Sequence, residues 1–267
     1  MKPAMTPAEK WRVLNQEFRQ SFERQAEDSQ SIPYIHYSGG LAEALVEKSP
    51  LAVIGINWGG NADESQWDDT FYTKSSLGNE RERSAFVLSV RQLFSKALGS
   101  ESEAFKMLKE TFYTNRCLFK TTSVDGLCGS SLWKRDKQTK ASFVAVSKML
   151  SIVRPNLILC CGNAMKCCCP SKYILHDLCA IPLKTLWRVS SPDRLWEYRC
   201  ERWVGRFVEK SLVFPRMENK QLLEVSTWPV KRIWSFPHPS VGNWPSETKF
   251  PDDLLNLLAS DLRACFA

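Results

Sequence analysis

The sequence predicts an α/β fold with three layers (αβα), in which helices cover both faces of a central, mainly parallel four-stranded sheet. Apolar runs bounded by proline or glycine recur along the chain, and such runs are typical of parallel strands buried on both faces. Amphipathic helical patterns lie between them, so that strands alternate with helices. With 267 residues, the chain is long enough to bury a sizeable core as one such domain.

The strands of this sheet are predicted at residues 51–57, 111–119, 156–162 and 231–236. Helices are predicted from apolar spacing at residues 6–27, 41–48, 82–98, 140–153 and 252–266. We expect a single domain over residues 1–267, with an N-terminal helical extension at 1–50. Residues 167–227 are rich in Trp, Arg and Pro, and we expect an irregular insertion there.

Composition favours a soluble protein with a polyanionic partner. Hydrophobic residues make up 43% and charged residues 24%, which is ordinary for a globular chain. No apolar run approaches the roughly 20 residues of a membrane span, and the N-terminus has no apolar core of a signal peptide. We therefore expect a cytoplasmic protein with reduced thiols at its 10 cysteines. The net charge of +7 raises the expectation of nucleic acid binding.

In parallel sheets, ligands bind at the carboxyl ends of the strands. Four loops should meet there, at residues 57–64, 115–122, 162–166 and 237–244. In the first, Gly59 and Gly60 let the backbone turn sharply or approach a ligand, and Asn57 offers an amide. The alternative is a turn in which Asn57 bonds its own backbone. In the last loop, His238 lies between two prolines, which limit where its ring can point. Its ring is either structural or serves as a hydrogen-bond donor, acid or base.

These loops resemble the two signature motifs of the uracil-DNA glycosylase superfamily. GINWG at residues 55–59 resembles its first motif, especially the GINPG form of the mismatch-specific uracil/thymine glycosylases, and HPSVGNW at 238–244 resembles its second, HPS motif. YTNRCLF at 113–119 is similar to the strand whose Asn reads the base, and RPNLILCCGNAM at 154–165 to the third strand and the turn after it. The resemblance covers residues 51–267 in element order.

The resemblance implies an enzyme that flips a nucleotide out of the DNA and hydrolyses its glycosidic bond. Asn57 would position the attacking water, and because an amide cannot take a proton it implies a slower enzyme than an Asp would. His238 would stabilise the departing base anion, a contribution of roughly 3 kcal/mol. Asn115 would read the edge of the base, and its alternative is a strand-end Asn that caps the next turn.

The resemblance also implies the remaining site residues. Phe71 would stack on the base, and Tyr72 and Trp67 are alternative candidates for this role. The base-binding set is Gly55, Ile56, Gly59, Phe71 and Asn115. DNA contacts would come from Ser240, Gly242, Asn243 and Trp244, and the arm near Arg232 would also meet DNA. Trp244 is either a wedge or a core residue. A basic run, Lys134, Arg135, Lys137 and Lys140, would track phosphates or belong to a solvated loop.

Two positions depart from the family pattern. Trp58 stands where Pro is common, which changes the stiffness of the loop. Gly59 stands where strict uracil enzymes have a bulky Tyr that blocks substituents on carbon 5. A pyrimidine with a 5-methyl or larger group would therefore be admitted.

No metal or organic cofactor is expected. Family members with an iron-sulfur cluster place cysteines before the first motif, and this chain has none before Cys117. Metal-ligand types are close together at Cys167, Cys168, Cys169, His176 and Cys179. Adjacent cysteines rarely point at one metal, and no second CxxC pair is present. Cys160 and Cys161 fall in a strand and are expected to be buried, inert thiols.

Three hypotheses follow. The first is a monomeric, monofunctional DNA glycosylase acting on a uracil-like or 5-modified pyrimidine; a narrower form takes only a bulky modified cytosine of phage DNA and serves in defence. The second is a noncatalytic module of the same fold that binds nucleic acid or a protein, favoured by Trp58 and the absent Asp. The third is an unrelated hydrolase using His238 and Ser240, and the lack of a GxSxG elbow weighs against it.

Overall fold

A computed structural model describes residues 5–23, 32–33, 37–38, 49–56, 58–59, 76–78, 84–116, 118–121, 136–162, 187–190, 197–203, 211–212, 223–224, 232–236 and 250–267. The helices are α1 (Pro7–Glu23), α2 (Ala85–Leu98), α3 (Glu101–Lys109), α4 (Asp136–Val153) and α5 (Asp252–Phe266), with a 3-10 turn at Ser76–Gly78. The strands in the first half are β1 (Ile32–Pro33), β2 (Tyr37–Ser38), β3 (Leu51–Gly55), β4 (Trp58–Gly59), β5 (Phe112–Asn115) and β6 (Phe119–Thr121). Those in the second half are β7 (Leu157–Cys161), β8 (Trp187–Ser190), β9 (Glu197–Trp203), β10 (Ser211–Leu212), β11 (Leu223–Glu224) and β12 (Arg232–Phe236).

The main sheet has the strand order β2-β5-β3-β7-β12-β9-β8. Its four central strands, β5, β3, β7 and β12, are mutually parallel. These are the four strands that the sequence predicts, and the three-layer α/β fold is confirmed. Antiparallel strands extend the sheet on both sides, β2 beside β5 and β9 with β8 beside β12.

One face of the sheet is covered by α2, α3 and α5. Alternate residues of a strand point to the same face, so Leu51 and Val53 of β3 face the same layer. They belong to one buried cluster with Phe94 of α2, Leu108 of α3 and Leu258 of α5. The burial of each of these side chains contributes roughly 1.5–3 kcal/mol to stability.

The opposite face is covered by α1 and α4. The ring of Trp11 in α1 lies 6.0 Å from that of Phe112 in β5. Thr114, two residues further along β5, contacts the sulfur of Met149 in α4 with its hydroxyl at 3.8 Å. The two helices pack on each other, and an ion pair joins Lys148 to Glu17. Helices thus cover both faces of the parallel strands.

The start of α1 follows from its first residues. The Thr6 amide donates to Glu9 Oε2 at 2.8 Å, and the Glu9 amide donates to Thr6 Oγ1 at 3.3 Å. This reciprocal pair is a capping box. Hydrogen bonds from the Thr6 amide and hydroxyl hold the pKa of Glu9 below its usual value. The predicted start at residues 6–7 is confirmed, whereas the helix is described only to Glu23.

Several elements differ from the expectations. The predicted strand at 111–119 ends at Asn115, and β6 belongs to a second sheet of order β1-β6-β4. The N-terminal extension contributes β1 and β2 besides its helix. The region expected to be irregular, 167–227, contains β8 to β11. Except for β9, these strands are only two to four residues long, so their pairing rather than a local apolar pattern decides the structure.

Within the described residues, no helix is both long and apolar enough to cross a membrane.

Candidate functional site

The carboxyl ends of the four parallel strands meet at one edge of the sheet. Gly55, the last residue of β3, pairs with Asn115, the last residue of β5. On the other side of β3, Ile54 pairs with Cys160, and Cys161 pairs with Phe236 at the end of β12. The ends of all four strands therefore stand at the same level, as the rule for parallel sheets requires.

Two backbone hydrogen bonds hold the chain just beyond this edge. The Arg116 amide donates to the Gly55 carbonyl at 2.9 Å, and the Gly162 amide donates to the Phe236 carbonyl at 2.7 Å. Gly162 has φ 138°, a conformation that residues with a side chain rarely adopt. The first residue after β5 is thus attached to β3, and the first residue after β7 to β12.

Gly55 and Asn115 share their space closely. A Cβ on Gly55 would overlap Asn115 Oδ1 and would stand 3.3 Å from Asn115 Cγ. The amide therefore lies directly over the glycine backbone, which only a residue without a side chain permits. Of the expected base-binding residues, the structure brings these two together.

The Asn115 amide is buried with an unused donor. The residue is only 1% exposed, and within the part of the chain that the structure describes its Nδ2 has no hydrogen-bond partner. Leaving such a donor unsatisfied costs about 1–3 kcal/mol.

Ser49 provides a contrast at the amino end of the same sheet. It is also buried, but its hydroxyl lies 2.8 Å from the Leu51 carbonyl and 2.7 Å from that of Glu110. The hydroxyl also accepts a bond from the Phe112 amide at 3.0 Å. Buried side chains that only support the sheet are bonded in this way.

Two further residues at this edge were not anticipated from the sequence. Phe86, in the first turn of α2, places its Cε2 3.4 Å from the position of a Gly55 Cβ. Arg116 directly follows Asn115 and is only 4% exposed. A buried arginine brings positive charge to this end of β5, and a charge so placed requires partners. The apolar pattern of residues 111–119 gives no signal for the burial of Arg116, because arginine is normally exposed.

The loop of the first motif is bracketed by strands. Ile56 follows β3 directly and is 4% exposed. Trp58 and Gly59 then form β4, which pairs in parallel with Lys120 and Thr121 of β6. Gly59 is therefore the last residue of a two-residue strand. The chains leaving β3 and β5 run side by side beyond the edge of the main sheet.

The strand cysteines are buried, as expected. Cys160 and Cys161 are each fully inaccessible and are free thiols. Burial raises the pKa of the Cys161 thiol, because the thiolate would lose its solvation. The protonated form is a weak nucleophile, so Cys161 contributes shape rather than reactivity to this edge.

The remaining site candidates lie outside the described residues. These are Asn57, the aromatics Trp67, Phe71 and Tyr72, and the second-motif residues His238, Ser240, Gly242, Asn243 and Trp244. The described strands nevertheless end next to two of them in sequence, since Asn57 comes two residues after Gly55 and His238 two residues after Phe236.

The basic run at residues 134–140 and Arg232 lie in different parts of the structure. Lys137 and Lys140 belong to α4, whereas Lys134 and Arg135 lie outside the described residues. Arg232 begins β12 and is therefore at the amino end of the parallel strands, opposite the edge described above. Its Nε lies 3.4 Å from Asp261 Oδ1 of α5. The expectation that the arm near Arg232 meets DNA stays a prediction.

Among the described residues, no group of three or more His, Cys, Asp or Glu side chains is placed to hold a metal ion. Cys167, Cys168, Cys169, His176 and Cys179 lie outside them. No protein-family model matches this sequence, and no curated protein matches it.

Proposed function

We propose that this chain is a monofunctional DNA glycosylase that hydrolyses the bond between deoxyribose and a uracil-like or 5-modified pyrimidine, leaving an abasic site. The observation that carries the proposal is the buried Asn115 amide at the carboxyl edge, whose Oδ1 lies over Gly55 and whose Nδ2 has no acceptor among the described residues. A bound pyrimidine can supply that acceptor through O4 of uracil or thymine, or N3 of cytosine. The GINWG and HPS motifs begin at the ends of strands that reach the same edge.

Hydrolysis assigns two further tasks. The oxygen of a water forms a bond to C1′ of the sugar, while the electrons of the C1′–N1 bond leave with the base. One proton of the water is released to solvent, and the departing base anion takes up a proton from solvent. Asn57 orients the water, and His238 donates a hydrogen bond to the departing base anion. The pyrimidine must first leave the stack, at a cost of a few kcal/mol that DNA contacts offset.

A buried, unused donor also favours selectivity. A site built to hydrogen-bond a substrate group rejects analogues that lack this group, because the donor is then left unpaired. Asn115 thus selects for a pyrimidine edge with an acceptor. Gly59, which adds no side chain, leaves the size of a 5-substituent unrestricted at its position.

Base release tests the proposal. The wild-type protein is incubated with DNA carrying uracil, a thymine mismatch or 5-modified cytosines, and with phage-modified DNA, and alkali-labile abasic sites are counted. We expect abasic sites with at least one of these substrates, and a loss of about 10²–10³-fold in rate for His238→Ala. Asn57→Ala and Asn115→Ala should also lose activity. Asn156→Ala is the matched control, because Asn156 precedes β7 at the opposite edge of the sheet.

A second candidate is a noncatalytic module of the same fold that binds nucleic acid or a protein. Asn57 in place of the Asp of the most active enzymes, followed by Trp58, favours it. Tight DNA binding with no base release from any substrate would select this module and exclude the glycosylase. Release from modified DNA alone would restrict the substrate to bulky bases and support a role in defence.

A further inference from the structure

Ser142 of α4 holds the chain that leaves the end of β5. The residue is fully buried, and its hydroxyl accepts a bond from the Leu118 amide at 3.1 Å. Leu118 comes three residues after Asn115 and is itself fully buried. The bond therefore joins a helix that covers the sheet to the segment between Asn115 and β6.

This bond lies just beyond the point where the parallel ladder ends. Strand β5 pairs residue by residue with β3 as far as Asn115. Beyond it, the Arg116 amide donates to the Gly55 carbonyl at 2.9 Å. The next amide that the structure describes along the chain is that of Leu118, which donates to Ser142. The exit of the chain from β5 is thus held by β3 on one side and by α4 on the other.

The same segment connects two parts of the candidate site. Asn115 stands at its start, with Oδ1 over Gly55. Strand β6 begins directly after Leu118 and pairs with Trp58 and Gly59 of the first motif. A shift of Leu118 is therefore transmitted to the amide proposed to read the base and to β4. A misplacement of about 1 Å caused by a distant substitution can lower a rate about 10²-fold.

We propose that Ser142 is a positioning residue, whose hydroxyl sets the path of the chain from Asn115 to β6 and thereby the placement of the Asn115 amide. The proposal rests on the base-reading role of Asn115 in the function proposed above. Ser142→Ala removes the acceptor of a buried amide, so the segment moves to bond that amide elsewhere. Ser142 acts through the backbone of Leu118 and is assigned no contact with the substrate.

Ser49→Ala is the matched control. Ser49 is also buried, and its hydroxyl accepts a bond from the Phe112 amide at 3.0 Å. Phe112 comes three residues before Asn115, as Leu118 comes three residues after it. Phe112 lies within the ladder to β3, which keeps β5 in place when the Ser49 bond is lost. Both substitutions should lower the urea midpoint of unfolding, whereas only Ser142→Ala should displace Asn115.

NMR of the full chain labelled with nitrogen-15 observes the Asn115 side chain without any substrate. Asn115→Ala removes one pair of Nδ2 proton resonances and so assigns it. We expect this pair to move in Ser142→Ala and to keep its position in Ser49→Ala. Deuterium exchange of the Leu118 amide should accelerate about tenfold or more in Ser142→Ala, because its hydrogen bond is lost.

Base release under single-turnover conditions, corrected for the folded fraction, measures the effect on the reaction. Ser142→Ala should lower the rate about tenfold or more. Its affinity for DNA should stay within about twofold, because phosphate contacts dominate that affinity. Ser142→Thr keeps the acceptor and should keep the rate. If Ser142→Ala does not fold, Ser142→Cys replaces it, since sulfur accepts only weakly. An equal loss of rate in Ser49→Ala would overturn the proposal, because stability alone would then explain both.

The two measurements separate this proposal from the function on which it rests. If no substrate loses its base, yet the Asn115 resonances move in Ser142→Ala and not in Ser49→Ala, the glycosylase is excluded and the positioning role stands. If bases are released but Ser142→Ala changes neither the resonances nor the rate, the glycosylase stands and the positioning role is excluded. If there is neither release nor movement, both are wrong.

Discussion

Asn115 Oδ1 occupies the space that a side chain on Gly55 would need. The two residues end neighbouring parallel strands and are paired in register. Their relationship explains why an apolar strand ends in glycine: the next strand delivers an amide onto its backbone. The effect of a substitution at either position on stability should therefore depend on the residue at the other.

A double-mutant cycle measures this coupling. Gly55→Ala should destabilise the protein by about 1–3 kcal/mol, because the new methyl group overpacks a buried site. Asn115→Ala removes the obstructing amide, so Gly55→Ala should cost much less in that background, with a coupling energy of roughly 0.5–3 kcal/mol. Urea unfolding of the four proteins gives the values. Additive costs would mean that the methyl group does not meet the Asn115 side chain.

The buried donor of Asn115 predicts a conflict between stability and binding. Asn115→Leu removes an unpaired polar group, so it should leave the free energy of unfolding unchanged or raise it by up to about 1–2 kcal/mol. Ser49→Ala is the matched control, since it breaks bonds that are made, and should cost about 1–3 kcal/mol. Pyrimidine binding should be lost only in Asn115→Leu. A stability loss in Asn115→Leu as large as that of Ser49→Ala would show that Asn115 is structural.

Asp261 of α5 bonds to side chains of β12, the strand that precedes the second motif. Its Oδ2 accepts a 2.8 Å bond from the buried Trp234 Nε1, and its Oδ1 faces Arg232. Asp261→Ala should cost about 2–4 kcal/mol, because it leaves a buried indole N–H and a partly buried guanidinium without this carboxylate. Thermal unfolding followed by circular dichroism measures the loss.

Trp234→Phe separates the two contributions of Asp261. It keeps an aromatic ring in the core but removes the indole donor, and in that background Asp261→Ala should cost less. An equal cost in both backgrounds would mean that the Trp234 bond contributes nothing to stability. The base release of folded Asp261 variants should persist, because Asp261 lies in α5 and not at the site.

The central sheet was predictable because its strands are continuous apolar runs bounded by Pro or Gly. The same reasoning located α5 at 252–266, and α2 began three residues later than expected. It missed α3, although Ser100 and Glu103 form the sequence pattern of a capped start. In the structure the Ser100 hydroxyl accepts a bond from the Glu103 amide at 3.2 Å.

At the site, the sequence could predict that Gly55 and Asn115 are near each other, because both end predicted parallel strands. It could not predict that Asn115 Nδ2 is left unbonded or that Phe86 borders the same space. Both depend on how α2 packs on the sheet, and residue spacing within α2 only predicts which face is buried. Strand β4 could not be predicted either, because a strand of two residues shows no alternation of apolar and polar positions.

A strained residue near the end of α4 offers a stability test away from the site. Arg154 has φ 47°, which costs a residue with a Cβ about 1–2 kcal/mol. Arg154→Gly should relieve this strain and raise the free energy of unfolding by roughly 0.5–1 kcal/mol, after allowance for the greater entropy of unfolded glycine. Urea unfolding provides the measurement.

Gly99 is the reverse control for Arg154→Gly. It follows α2 with φ 65°, and nothing lies within 4 Å of an added Cβ, so Gly99→Ala introduces strain without a clash. We expect a loss of about 1 kcal/mol. If Gly99→Ala is neutral, or if Arg154→Gly destabilises, backbone strain does not govern these two positions.

Replacing Asn57 with aspartate tests the mechanism of water activation. An amide can orient the attacking water, whereas a carboxylate can also accept its proton, and general base catalysis contributes typically about 10²–10⁴-fold. Asn57→Asp should therefore release uracil at least about tenfold faster than the wild type under single-turnover conditions. The rate of this variant should fall as the pH drops through the pKa of the new carboxyl group, because its protonated form is no base, while the wild-type rate lacks that dependence.

Asn156→Asp, which places the same charge before β7 at the opposite edge, should not change the rate. A slower Asn57→Asp enzyme, or one with the wild-type pH profile, would exclude Asn57 as the residue that orients the water.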